Sequence, residues 1–306
     1  MGVLDGTESA RGAVRVATLV LVVVGIVVGV ALAPYAWSYA SQPDGKVAVV
    51  EVHGSITGET ASGIVENLRE ARQNDSIQAV VLDVDSPGGA ASASEQLYLA
   101  VKRTAAEMPV VTSVTGTAAS GSYYAAIPSR DIYVTPASVV GSIGVRATLP
   151  SEGVPAGEVV TGPDKGSGST HEGVRKRVET LRRAFVGSVM AERGDRLSLT
   201  REEVSHAKVY SGVEGVQVGL ADEIGGIDTA IAAAADDAGL QDYEVVRMDA
   251  PQPSLLSQLG LSAEDAPESA TTEQVFEYRG VDTVQYLMLH GTIRTDESEV
   301  SANASA

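Results

Sequence analysis

The sequence predicts an α/β fold with mostly parallel strands, preceded by one transmembrane helix. Three observations carry that expectation. Short apolar runs alternate with stretches whose apolar residues recur at helical spacing. Glycine-rich turns close several of the runs, and one long uncharged segment stands near the N-terminus.

That segment is Val16 to Ala33, in which Thr18 is the one polar side chain, and no charge occurs between Arg15 and Asp44. At about 1.5 Å per residue it nearly spans a hydrocarbon core of roughly 30 Å, and the uncharged flank through Trp37 completes it. Tyr35, Trp37 and Tyr39 fall where aromatic side chains favour the interface, and Arg11 and Arg15 precede the segment. The positive-inside tendency then puts residues 1–15 in the cytoplasm and residues 44 onward outside. The expectation is an uncleaved single-pass anchor over 16–37. The rival is a signal peptide, for which Ser38-Tyr39-Ala40 would serve as the cleavage site.

Strand and helix signals then alternate. Val47 to Val52 reads as a buried strand ended by His53-Gly54-Ser55, Ala61 to Arg72 as a helix with Ile64, Leu68 and Ala71 on one face, and Ile77 to Val84 as the next strand. The chain runs into Asp85-Ser86-Pro87-Gly88-Gly89, then a helix from Ala90 to Ala106 and a strand from Met108 to Val114. Asp131 to Thr135 is a short strand before Gly141-Ser142-Ile143-Gly144. Arg175 to Arg193 is a charged helix with an apolar stripe. Arg201 to Ala207, the turn at Val209 to Gly212 and a helix from Thr229 to Ala238 close a catalytic domain expected over 44–240.

From Pro251 to the end there are nine acidic and two basic residues, with Pro251, Pro253 and Pro267 among them, the composition of an acidic extension over 251–306. One piece of it is strand-like, with a strand expected over 284–289. Val284 to Ile293 echoes Val47 to Ile56, including a His-Gly-hydroxyl-Ile ending. Chance similarity, the stub of a repeat, or a strand added to an edge of the sheet would each explain it; in the last case the tail would compete with substrate.

Composition narrows the function classes. There is no cysteine, so disulfides, thiol catalysis and cysteine metal sites are excluded. A net charge of −18 argues against a nucleic-acid partner, because neutralising phosphates takes clustered Lys and Arg. An acidic, lysine-poor, Ala/Gly/Val-rich chain also fits a halophilic organism, an archaeon, with an ordinary acidic bacterial protein as the alternative. His53, His171, His206 and His290 are the four histidines; they form no metal-like cluster and weigh against a Ser-His-Asp triad. Asp83 and Asp85 share one face of a strand, where a turn-stabilising role fits better than acid catalysis.

The candidate chemistry centres on Thr115-Gly116-Thr117-Ala118-Ala119-Ser120-Gly121-Ser122-Tyr123-Tyr124. A strand precedes it and a helix-compatible run begins at Ala118, so Ser120 falls on a strand-to-helix turn. There it should be exposed and close to free helical N–H groups that favour negative charge. The alternative is a small-residue packing seam. Two further segments bear on the choice. The Pro-Gly-Gly turn leaves backbone N–H groups uncovered, as a substrate-binding edge or half an oxyanion hole requires. Lys165, one of five lysines against seventeen arginines, stands in a glycine-rich loop, and a desolvated lysine can act as the base that a serine nucleophile needs.

Together these segments resemble the signal peptide peptidase A family, the membrane-bound Ser-Lys endopeptidases also called protease IV. The resemblance covers roughly Val47 to Ala235. It rests on the Asp-Ser-Pro-Gly-Gly turn, Ala118-Ala119-Ser120-Gly121 with Tyr123-Tyr124, Gly141-Ser142-Ile143-Gly144-Val145, the Lys165 loop, and Val209-Tyr210-Ser211-Gly212 followed by Gly219 to Gly226. It implies a spiral of ββα units shared with Clp protease and crotonase. It also implies Ser120 as nucleophile, Lys165 as general base, and Gly88, Gly89 and the amide of Gly121 as oxyanion donors. Ser142 could hold the lysine amine or simply form a turn. Ser122, where the family usually has glycine, and the short link from Arg146 to Val160 depart from the pattern.

The expected function is a membrane-anchored serine endopeptidase, without metal or cofactor, acting on membrane-associated or exported peptides such as remnant signal peptides, and assembled as a homo-oligomer. A crotonase-like acyl-CoA enzyme and a catalytically silent membrane scaffold are the alternatives.

Overall fold

The computed structural model describes residues 18–32, 43–149, 161, 170–248 and 286–290. The chain divides into two compact units, Met1–Asp44 and Gly45–Ala306. In the first, residues 18–32 form helix α1, whose apolar side chains are exposed. The described stretch is roughly 22 Å long. Among the described residues no helix is long and apolar enough to cross a membrane. The rest of the expected anchor, 16–17 and 33–37, lies outside the described residues.

The second unit is built on parallel strands. Gly45–Ile56 forms β1, Gly58–Gln73 α2, Ile77–Ala90 β2, Ala91–Ala105 α3 and Val110–Ala119 β3. β1, β2 and β3 run parallel, with Val49 opposite Val81 and Val81 opposite Val111. Each strand is covered on both faces, which is why its sequence reads as a nearly unbroken apolar run. Val47, Val49, Ala79, Val81 and Val111 pack with Ala230, Ile231, Ala234 and Ala235 of the helix Ile227–Asp237 on one side. Ala48, Val50, Val80 and Leu82 meet Ile64, Leu68, Leu97, Tyr123 and Phe185 on the other.

After β3 come the short helix α4 (Gly121–Ala126), β4 (Asp131–Val134), β5 (Val139–Gly141) and β6 (Arg146–Ala147). Then follow α5 (His171–Arg193), α6 (Arg201–Val204), β7 (Val209–Ser211), α7 (Gly212–Val218), β8 (Glu223–Ile224), α8 (Ile227–Asp237), β9 (Tyr243–Met248) and β10 (Tyr286–Leu289). The sheet holds ten described strands. β4, β5, β8 and β9 join it in parallel, whereas β7 pairs antiparallel with β5. β10 lies between β2 and β6, antiparallel to both.

Several boundaries differ from expectation for identifiable reasons. α2 starts at Gly58 rather than Ala61, because Thr57 and Thr60 form a reciprocal capping box. α5 starts at His171 rather than Arg175, capped by the Thr170 hydroxyl, which accepts from the Gly173 amide at 3.1 Å. β2 does not end before the Pro-Gly-Gly sequence but continues through it to Ala90, with register shifts against both neighbours. β9, beyond the expected boundary at 240, pairs with β1 from Gly45 to Val50.

Candidate active site

Ser120 is the single residue between β3 and α4, and its backbone is strained, with φ 58° and ψ −117°. A non-glycine residue in that region costs on the order of 1–3 kcal/mol. A similar sharp strand-to-helix corner presents the nucleophilic serine of α/β-hydrolases. The surroundings fix it. Ser120 N donates to Gly141 O at 2.8 Å, and Tyr124 N donates to Ser120 O at 2.9 Å. α4 is buried along its whole length, and the Tyr123 hydroxyl donates to Leu220 O at 2.8 Å. Burial pushes the Tyr123 hydroxyl pKa up, so it stays a donor there.

Two expectations about this serine are corrected. The helix begins at Gly121, three residues after Ala118, and is only six residues long, so its dipole is slight. Ser120 is also not exposed: it is 1% accessible, and its hydroxyl donates to Gly144 O at 3.4 Å.

The Pro-Gly-Gly segment lies against this corner. Gly88 has φ +93°, and a Cβ there would stand 2.0 Å from Met288 O and 2.6 Å from Gly121 N. At Gly121 a Cβ would meet Ser94 Oγ at 2.1 Å and Met288 O at 3.0 Å. Gly88 therefore needs glycine because the Met288 carbonyl is seated against it, and Gly121 chiefly because the Ser94 side chain is, with the same carbonyl close by. Gly88 N is turned toward Ser86 Oγ at 3.1 Å. Gly89 is placed differently. Its Cβ would collide with Ile56 O at 2.0 Å, and it lies in the ladder opposite Ile56 of β1 and Met288 of β10.

Ser142 sits in the loop after β5 with φ 54°. Its amide donates to Lys208 O at 2.8 Å, and its hydroxyl is 3.2 Å from His290 Nδ1. Gly141, one residue earlier, holds Ser120 N, so one loop touches both serines. Lys165 lies outside the described residues. The structure thus gathers Ser120, Gly88, Gly121 and Ser142 around the end of β10, with Gly89 one residue along the ladder.

Sequence reasoning gave no role to Ser122 and placed Met288 and His290 only within a strand-like stretch that could add to an edge of the sheet. The Ser122 hydroxyl is fully buried and donates to Ser86 O at 2.6 Å, with Ala119 O also in reach at 2.9 Å. It ties the glycine turn to the start of α4; the signal was its departure from the expected glycine. Asp83 and Asp85 tie β2 to β3 rather than bracing a turn, accepting from Thr115 Oγ1 at 3.1 Å and Thr117 N at 2.9 Å. Behind α4, Arg193 is 1% exposed and grips Asp222 through two hydrogen bonds of 2.9 and 3.0 Å. It also donates to Gly219 O, fixing the turn that carries Leu220.

A strained serine thus stands at a strand-to-helix corner, with a peptide carbonyl over paired glycines beside it. Residues 102–151 and 159–241 match the model of a family described as Peptidase family S49. The chain is 31% identical over 240 residues to Protease 4 of Salmonella typhi, covering 70% of this chain and 38% of that protein. It is 28% identical over 249 residues to Serine protease SPPA, chloroplastic, of Arabidopsis thaliana, covering 71% of this chain and 37% of the relative. The chain therefore spans well under half the length of these two relatives. Among solved structures, a mutant 1510-N membrane-bound stomatin-specific protease in complex with a substrate peptide superposes with a TM-score of 0.48 at 16% identity, over 71% of this chain and 96% of that one.

Proposed function

We propose that this chain is a membrane-anchored serine endopeptidase in which Ser120 attacks the scissile carbonyl of an extended peptide and Lys165 takes its proton. The observation that carries the reading is the strained Ser120 corner next to the Gly88–Gly121 cradle, where the carbonyl of a β-paired segment already sits. In the reaction, the Ser120 Oγ–H proton passes to the neutral Lys165 amine as the C–O bond forms. The oxyanion lies over the cradle, with the Gly121 amide as a donor. The lysine then protonates the leaving amine, and water, deprotonated by the same lysine, hydrolyses the acyl-enzyme. No metal or cofactor enters these steps.

The fold reading that accompanies this is the Clp-like spiral. The apolar sequence of 16–37 supplies the anchor, with the peptidase unit on the extracytoplasmic side and membrane-associated or exported peptides as substrates. The test is hydrolysis of apolar peptides by the detergent-solubilised chain and by Ser120→Ala. The variant should fold as wild type and lose roughly a thousand-fold or more in kcat/KM. Equal activity in the two proteins refutes the assignment.

A further inference from the structure

We propose that β10 is a tethered occupant of the peptide groove, so that the C-terminal segment of the chain holds its own active site closed. The inference rests on the peptidase reading for its consequence, but its geometry stands independently.

β10 adds to the sheet as a substrate strand would. Leu287, Met288 and Leu289 lie opposite Ala90, Gly89 and Gly88 of β2, and Tyr286 and Leu287 lie opposite Ala147 and Arg146 of β6. The segment is thereby paired along both edges, which is how an extended peptide gains affinity by strand addition. Its fit is not that of a loosely lying tail. Leu287 is 5% and Met288 2% exposed, and Met288 belongs to the main core cluster. The Met288 carbonyl is the group seated over Gly88 and Gly121. Beyond it, His290 N donates to Pro87 O at 2.7 Å, and the His290 ring reaches Ser142 Oγ. Every described residue that the peptidase reading assigns to substrate or base handling thus lies against this segment or along its ladder. Ser120 itself is buried. A free peptide has to displace a strand that belongs to the same molecule and that dilution does not remove.

The experiment compares full-length wild type with Met288→Asp, which puts a charge into a buried position, and with Met288→Leu, which keeps the apolar fit. The release of the strand is read by hydrogen exchange at Leu287 to His290, and activity by kcat/KM on a short apolar peptide. The expected result is slow exchange in wild type and Met288→Leu, fast exchange in Met288→Asp, and a rise in activity of roughly ten-fold or more in Met288→Asp alone. To separate this from a failure of the peptidase reading, a fluorescent peptide of the sequence of residues 284–292 is titrated onto Ser120→Ala and onto Ser120→Ala with Met288→Asp. Tight binding only to the second supports occupancy of the groove even if neither protein hydrolyses anything. Fast exchange at Leu287 to His290 in wild type, equal peptide binding to both proteins, or unchanged activity in a fully folded Met288→Asp overturns the inference.

Discussion

Asp222→Ala should be among the most damaging changes outside the site itself. Its carboxylate accepts from Arg193 Nη1 at 3.0 Å and Nη2 at 2.9 Å, from Arg196 Nη1 at 2.8 Å and from the Ile132 amide at 2.8 Å. Arg196 is partly exposed and can turn to water, but Arg193 is 1% exposed and cannot. Removing the carboxylate leaves the guanidinium buried with only Gly219 O to accept from it, and takes away the side-chain acceptor of the Ile132 amide. Breaking one side of a buried ion pair costs about 3–5 kcal/mol. For a unit of this size that is a fall of roughly 6–20 °C in Tm. Urea denaturation followed by circular dichroism, together with thermal scans, gives both quantities. The apolar double variant Arg193→Met with Asp222→Leu should recover part of the loss, since it removes the stranded charge as well. A loss below about 1 kcal/mol in Asp222→Ala would mean that the pair behaves as a screened surface contact, and the structural role given to it would be wrong.

Lys165→Arg should abolish hydrolysis nearly as completely as Ser120→Ala, because arginine keeps its proton; wild-type kcat/KM should climb with pH as the base deprotonates, and a flat profile from about pH 6 to 10 would point to another base. At Asp237, burial outweighs the attraction of Arg130 and raises the carboxyl pKa, and Oδ2 has no hydrogen-bond partner. The ionised form therefore costs stability above the folded-state pKa, and that cost disappears as pH falls below the unfolded value. Asp237→Asn should match or exceed wild type by up to about 1 kcal/mol at neutral pH, with the gap closing in acid; a gap that widens in acid contradicts this. With a net charge of −18, the chain should melt higher in molar KCl than in dilute buffer. An unchanged Tm would remove the halophilic reading.

The parts of the fold that the sequence displays are those where side-chain type and burial agree. Val47 to Val50 and Val80 to Leu82 are apolar at every position because α8 covers one face of the sheet and α2 and α3 the other. β9 escaped notice for the opposite reason: Glu244, Val245 and Arg247 are exposed along it, and its pairing with β1 is made by the backbone. Helix starts were misplaced where a threonine cap outweighed the first apolar residue, at Thr57 and Thr170. Ser120 was legible as a strand-to-helix residue from its small neighbours. Its burial was not, since that depends on packing between elements far apart in the sequence, and no local pattern encodes such a contact.

The C-terminal segment shows how much an echo in sequence can and cannot mean. Val284 to Ile293 aligns with Val47 to Ile56, so that His290 corresponds to His53. Both segments end against the same two glycines: Ser55 and Ile56 of β1 lie opposite Gly88 and Gly89 on one side of β2, and Leu289 and Met288 of β10 lie opposite them on the other. A true repeat would preserve direction and register. Here β1 runs parallel to β2 and β10 antiparallel, and the residues meeting the glycines are not equivalent in the alignment. The two histidines diverge as well, His53 toward Glu51 and Asp83, His290 toward Ser142. What the segments share is therefore the apolar character that any strand needs to be buried beside β2. Partnership with the glycine turn follows from shape: glycines at 88 and 89 let a neighbouring backbone approach from both sides, β1 permanently and, on the other edge, whichever extended chain has an apolar residue to bury where Met288 lies.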